Sequence, residues 1–216
     1  MSVVLILGSG PNVVASRDWP RDHFDRIIAI NNAWAVRPDW DDLIHPDDFP
    51  TSKMPPRLKP DQRIIRAADY VPLQNTFGGF VYAGGTMAFT ASYWALAALK
   101  PKVIAVMGCD MVYDDAQKTH FYGKGTADPL RKDVTLRSLE AKSARLMALA
   151  AQQGCAMVNL SKDPKSACLS KGDTGWSDGY PAKFLQRKGC IKGPHPRGSA
   201  GLLRAVGKIL ERRIPL

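Results

Sequence analysis

The stretch V-V-L-I-L-G-S-G-P-N at residues 3–12 decides the fold of this chain. Val3 to Leu7 form a short, continuous apolar run rich in β-branched residues, which is typical of a strand buried on both faces. The run leads directly into a glycine turn at Gly8 to Asn12. A buried strand that feeds a tight turn is the opening of a parallel α/β sheet, and the rest of the chain fits that start.

Strands and helices are predicted to alternate after this opening. By the same criteria the further strands are 26–30, 42–44, 63–65, 102–107 and 155–160, and the helices are 86–99 and about 133–153. This alternation predicts a Rossmann-like three-layer α/β sandwich with a mostly parallel sheet. In such sheets ligands bind at the carboxyl ends of the strands.

The positive charge is concentrated at the end of the chain. The net charge is +10, and residues 162–216 carry 12 basic and 4 acidic residues, so this segment supplies +8 of it. We expect a nucleotide-binding α/β domain at 1–161, and a basic segment at 162–216 that forms an irregular arm and a C-terminal helix packed on the same domain. The arm suits a solvated surface, an anionic acceptor, an anionic membrane surface or nucleic acid, although no nucleic-acid-binding motif supports the last.

Apolar content and cysteine spacing indicate the cellular compartment. No apolar stretch approaches the roughly 20 residues that span a bilayer, and the first apolar run lacks the length of a signal peptide. The four cysteines lie far apart, without a C-x-x-C pair or zinc spacing. We therefore expect a cytoplasmic protein without a metal site.

The first candidate nucleotide-binding residues form the turn after the first strand. They are Gly8, Ser9, Gly10, Pro11 and Asn12. Backbone N–H groups and flexible glycines at such a turn let an anion come close. Val13 occupies the third glycine position, so the G-x-G-x-x-G fingerprint is incomplete.

Further candidates follow later strands. An NAD-binding domain usually has an acidic residue after its second strand, whereas this chain has Asn31 and Asn32, which suit a base edge, a ribose or a phosphate, or only stabilise a turn. His45 follows the strand 42–44. The segment Gly84-Gly85-Thr86 precedes a helix and either binds phosphate at the helix N-terminus or forms a capped turn.

Candidate catalytic residues lie after the strand 102–107. They are Asp110, Tyr113, His120 and Tyr122. Tyrosine and histidine can donate to a departing phosphate, while aspartate or histidine can take a proton from an attacking hydroxyl. Acidic residues here could instead hold Mg²⁺ against a nucleotide diphosphate, and the remaining alternative is a solvated loop.

Six motifs occur in order along residues 1–161. They are V-L-I-L-G-S-G-P-N (4–12), A-I-N-N-A-W (29–34), H-P-D-D-F (45–49), A-G-G-T-M-A-F-T-A-S-Y-W-A-L-A-A-L (83–99), V-I-A-V-M-G-C-D-M (103–111) and H-F-Y-G (120–123). In this order they resemble the bacterial sialyltransferases of glycosyltransferase family 42 and the related 6-hydroxymethylpterin diphosphokinase MptE-like proteins.

The resemblance implies metal-independent transfer of a sialic-acid-like sugar to an acceptor hydroxyl, with no cofactor. It implies that Gly8 to Asn12, Asn31 and the turn Gly84-Gly85-Thr86 hold a cytidine nucleotide sugar, and that Tyr113 or Tyr122 steadies the leaving phosphate. The family's base is the histidine that ends an H-x-x-G-H stretch. This chain has Lys124 at that position, which leaves His120 as the nearby imidazole.

Three functions therefore stay open. The first is a sialyltransferase-like glycosyltransferase that uses a CMP-type donor, with His120 as the base. The second is a Mg²⁺-dependent pterin-type diphosphokinase that uses ATP, with Asp110, Asp114 and Asp115 positioning the metal. The third is a non-catalytic nucleotide-binding or nucleic-acid-binding module.

Overall fold

A computed structural model describes residues 2–78, 86–111, 120–123, 139–161 and 166. Six strands form one sheet: β1 Val3–Leu7, β2 Arg26–Ile30, β3 Asp42–Ile44, β4 Arg63–Ile65, β5 Val103–Met107 and β6 Ala156–Asn159. Their order is β4-β3-β2-β1-β5-β6, and all neighbours pair in parallel. The predicted Rossmann-like α/β fold is confirmed.

Three α-helices accompany the sheet: α1 Ala67–Asn75, α2 Met87–Leu99 and α3 Leu139–Gln152. The second and third match the predicted helices, although the predicted start at Asp133 lies outside the described residues. Sequence reasoning missed the first, because α1 is short and contains Pro72. The predicted basic arm and C-terminal helix also lie outside the described residues, apart from Ser166.

The path of the chain determines where the strand order of the sheet reverses. From β1 the chain adds β2, β3 and β4 in one direction, and then returns through α1 and α2 to place β5 on the other side of β1. The strand order therefore reverses between β1 and β5. A reversal of this kind leaves a crevice at the carboxyl ends of the two strands, which is where open α/β sheets bind ligands.

Side chains alternate between the two faces of the sheet, as a strand period of two requires. In β1, Val3, Leu5 and Leu7 join one core cluster, while Val4 and Ile6 join the other. The second cluster includes residues of all three α-helices, and the first is closed by 3-10 helices and loops. The sheet is therefore the middle of three layers. Among the described helices, none has the length and apolar content that crossing a membrane requires.

A buried carboxylate connects three neighbouring strands at their amino ends. Asp42 at the start of β3 is fully buried. It accepts hydrogen bonds from the Arg26 guanidinium of β2, at 2.6 Å, and from the Arg63 guanidinium of β4, at 2.9 Å. The register places Asp42 opposite Arg63. One charge thus pairs with both neighbouring strands and fixes their alignment.

Replacing this carboxylate tests its weight in the fold. We expect Asp42→Asn to lower the free energy of unfolding by about 1 to 3 kcal/mol, because the amide loses the charge that both guanidinium groups bind. Asp61→Asn, at an exposed position, is the control and is expected to change it by less than about 0.5 kcal/mol. Urea unfolding curves measure both. Equal effects of the two substitutions would contradict a structural role for Asp42.

Candidate functional site

The glycine turn after β1 packs directly against the end of β5. The Gly8 N–H donates to the Met107 carbonyl at 2.8 Å, and the Gly10 N–H donates to the Gly108 carbonyl at 2.7 Å. A Cβ added at Gly8 would overlap the Gly108 carbonyl oxygen, and one added at Gly10 would lie 2.8 Å from it. These glycines are required for the close approach of two strand ends.

Val13, which occupies the third glycine position of the fingerprint, packs against Gly108 at the same junction. Gly108 has φ +71°, and a Cβ added there would lie 2.6 Å from the Cβ of Val13. From Pro11 the chain continues as a 3-10 helix to Asp18. The N–H groups of Gly8 and Gly10 therefore donate to carbonyl groups at the end of β5 and just after it. That the turn contributes to nucleotide binding stays a prediction.

Asn12 connects the turn to the ends of two further strands. Its Nδ2 donates to Asp110 Oδ2 at 2.7 Å and to Ser161 Oγ at 2.6 Å. Asp110 follows β5 and is 6% exposed, and Ser161 follows β6 and is 3% exposed. Asn12 Oδ1 and Asp110 Oδ1 are buried and have no hydrogen-bond partner in the part of the chain that the structure describes. The predicted site residues Asn12 and Asp110 are therefore in direct contact. Each keeps one buried acceptor oxygen that has no partner among the described residues.

Asn31 and His45 are neighbours at the same edge. They follow Ile30 of β2 and Ile44 of β3, which pair directly. Asn31 has φ +51°, a left-handed conformation that costs energy for any side chain, and its Oδ1 is buried without a partner among residues 2–78, 86–111, 120–123, 139–161 and 166. Asn32 lies beside it in the 3-10 helix Asn31–Ala35 and is half-buried.

The His45 ring is held in a defined orientation. It is 6% exposed, and it lies 5.3 Å from the Phe49 ring, measured between centroids. Nδ1 lies 2.7 Å from the Pro46 carbonyl oxygen, which can only accept, so Nδ1 carries the proton of this hydrogen bond. Nε2 is buried, and no described residue is its hydrogen-bond partner. In the neutral ring it presents a lone pair.

The segment 120–123 lies over the glycine turn. The Phe121 N–H donates to the Ser9 carbonyl at 3.0 Å, and His120 and Gly123 exchange two backbone hydrogen bonds at 3.0 Å each. The His120 and Tyr122 rings lie 5.0 Å apart, and Tyr122 is 45% exposed. The predicted base and phosphate donor are therefore placed beside the turn that was predicted to bind the nucleotide.

The electrostatic setting of His120 favours its neutral form. Burial lowers the pKa of His120 below its ordinary value of 6.5, and the nearby positive charge of Lys53 lowers it further. Lys53 is exposed, and its backbone carbonyl accepts a hydrogen bond from Trp34 Nε1 at 2.9 Å. At neutral pH the imidazole is therefore able to accept a proton.

The remaining predicted residues are only partly described. Thr86 is the N-cap residue of α2, but its side chain makes no capping hydrogen bond, and its Oγ1 lies 3.8 Å from Met111 Sδ after β5. This contact brings the start of α2 to the edge that carries the other candidates. Gly84, Gly85 and Tyr113 lie outside the described residues, as do Asp114, Asp115 and Lys124.

Sequence reasoning missed three residues of this edge. Ser161 follows β6 as the other candidates follow their strands, so the rule that ligands gather at strand ends was sufficient to find it. Lys53 and Phe121 carry no such signal, since their positions depend on contacts between distant segments. In the described part of the chain, no group of three or more His, Cys, Asp and Glu side chains forms a metal site.

Fold and site together define a class: an α/β protein with a Rossmann-like parallel sheet whose polar groups gather at the point where the strand order reverses. No protein-family model, no curated protein and no solved structure matches the chain. The likeness to family 42 glycosyltransferases and to the diphosphokinases consequently rests on the motifs alone.

The approach of β1 to β5 generates a test. We expect Gly8→Ala to lower the free energy of unfolding by about 3 kcal/mol, because the new methyl group meets the Gly108 carbonyl. Gly154→Ala is the matched control. It has φ +68° and open space around the added Cβ, so only backbone strain of about 1 kcal/mol is expected. Thermal unfolding compares the two, and equal losses would mean that the close approach is unimportant.

Proposed function

We propose that the chain is a metal-independent glycosyltransferase that transfers a sugar from a CMP-type donor to an acceptor hydroxyl. One observation carries the proposal. The hydrogen bond between Phe121 N and Ser9 O joins the segment that contains His120 and Tyr122 to the glycine turn, although the two segments are more than 100 residues apart in sequence. The motifs that resemble the sialyltransferases thus meet in space.

In this proposal His120 takes the proton from the acceptor hydroxyl. A general base must be unprotonated at working pH, and the lowered pKa of this imidazole meets that requirement. Tyr122 lies beside it with an exposed side chain and donates to the departing phosphate. The positive charge of Lys53, which acts on His120, also favours the anionic leaving group.

The nucleotide lies across the carboxyl ends of β1, β2 and β5. Asn12, Asn31 and Asp110 offer buried polar atoms there that have no partner among the described residues. Such atoms are costly to leave unsatisfied, and a bound ligand can satisfy them. The left-handed backbone at Asn31 adds a strained residue at the same place.

Nucleotide binding is tested by thermal shift with CMP, CDP, UDP, GDP, ATP and CMP-sialic acid, each with and without Mg²⁺. A ligand that binds only the folded state raises the melting temperature. We expect cytidine nucleotides to stabilise the protein without metal. Stabilisation by ATP only with Mg²⁺ would favour the diphosphokinase instead, and no shift with any nucleotide would contradict both.

Asn31→Gly separates binding from folding within this assay. Glycine adopts the left-handed conformation without strain, so the unfolding free energy is expected to stay within about 1 kcal/mol of the parent while the nucleotide-induced shift is lost. Lys100→Gly is the matched control, since Lys100 has φ +48° after α2, away from the site. If Asn31→Gly kept the full nucleotide-induced rise in melting temperature, Asn31 would have only a structural role in the turn.

The proposed base is tested through its ionisation. NMR titration of the imidazole is expected to give a midpoint below 6.5 for His120, and Lys53→Met should raise that midpoint, because one cause of the depression is removed. In a CMP-release assay with CMP-sialic acid, turnover should fall as pH drops through the midpoint, and Lys53→Met should move this fall to higher pH.

Two further variants serve as controls for the titration and the turnover assay. Lys59→Met is the control for charge, since Lys59 donates to the Pro38 carbonyl and does not perturb His120. His120→Gln should abolish CMP release at an unchanged melting temperature. A loss of stability in parallel with the loss of turnover would contradict the catalytic role.

A further inference from the structure

The unpartnered polar atoms at the carboxyl edge of the sheet share one chemical property. Among the described residues this edge has four of them: Asn12 Oδ1, Asn31 Oδ1, His45 Nε2 and Asp110 Oδ1. Oxygens of amides and carboxylates are acceptors, and Nε2 of a neutral imidazole whose Nδ1 donates is also an acceptor. The edge therefore offers acceptors to a ligand.

The orientation of Asn12 is fixed by its neighbour. A carboxylate accepts and does not donate, so the Asn12 atom that lies 2.7 Å from Asp110 Oδ2 must be the amide nitrogen. Asn12 Oδ1 then points away from that hydrogen bond. Asn12 and Asp110, hydrogen-bonded to each other between β1 and β5, each keep one buried oxygen without a partner in the described part of the chain, and together they are called the Asn12–Asp110 pair.

The surroundings disfavour a phosphate at this pair. The N–H groups of Gly8 and Gly10 in the turn donate to carbonyl groups at the end of β5. The Asp110 carboxylate is 94% buried and repels a second anion. Hydroxyl groups are the complementary partners, because each can donate one hydrogen bond to an acceptor oxygen.

Resting on the proposed function, we infer that the Asn12–Asp110 pair binds the vicinal hydroxyls of the nucleotide's ribose. Many dinucleotide-binding folds supply the acidic ribose ligand from the end of the second strand. Here Asn31 occupies that end, and the carboxylate comes from β5 on the other side of β1. The phosphate then extends away from Asp110.

The inference is tested by comparing CMP with 2′-deoxy-CMP in isothermal titration. Loss of one hydrogen bond to a charged acceptor weakens binding by about tenfold or more, so the deoxynucleotide is expected to bind that much more weakly. Asp110→Asn retains an acceptor for Asn12 while removing the charge, and it should reduce the preference for CMP severalfold. Asp61→Asn is the control and should leave the preference unchanged. Equal affinities for the two nucleotides in the parent protein would overturn the inference.

Two further measurements distinguish a failure of this inference from a failure of the proposed function. If no cytidine nucleotide binds, saturation-transfer NMR with methyl β-D-ribofuranoside tests the pair alone. Binding that is lost in Asp110→Asn would keep the inference and remove only the proposed donor, whereas no binding would overturn both. Stabilisation by Mg²⁺ alone, absent in Asp110→Asn, would show that the pair binds a cation and would also overturn the inference.

Discussion

The contact between the glycine turn after β1 and the end of β5 is the constraint on which the candidate site depends. Side chains at Gly8 or Gly10 would separate the two strand ends, and Gly108 has room only for a hydrogen against Val13. Two backbone hydrogen bonds close the same junction. Since the strand order reverses here, a crevice is expected at this point in any sheet of this topology, but the tight junction decides which polar groups line it.

The junction also explains how distant parts of the chain reach one place. It leaves the Ser9 carbonyl free to accept from Phe121, which brings His120 to the turn, and it aligns Asn12 with Asp110. Asn12 in turn reaches Ser161 beyond β6. A rigid centre made of backbone and glycine thus positions side chains from four separate segments, which is the usual way in which loops on a fixed scaffold carry function.

The sequence was sufficient for most of the sheet and insufficient for the roles of its residues. Continuous apolar runs such as Val103–Met107 are distinctive, whereas α1 was missed because Pro72 normally opposes a helix. The G-S-G pattern correctly marked a turn that needs glycine. It could not show that the group approaching the glycines is the Gly108 carbonyl, because that contact joins residues about 100 positions apart. The neighbourhood of Lys53 and His120 is non-local for the same reason.

Four buried acceptors without a partner among the described residues lie at the carboxyl edge of the sheet, and further unpartnered buried atoms belong to His23 before β2 and to Gln74 in α1. A buried acceptor without a partner costs about 1 kcal/mol or more, so four of them at one edge would be a substantial loss in a protein of ordinary stability. The left-handed conformations of Asn31 and Met111 lie at the same edge, after β2 and β5. Strain and unused acceptors that coincide at the reversal point are expected where a fold retains a binding surface at the expense of its own stability. Asn12 and Asp110 are held at the β1–β5 junction, whereas Asn31 and His45 follow β2 and β3, and because all four acceptors are buried, a ligand that binds them has to displace the groups that cover them.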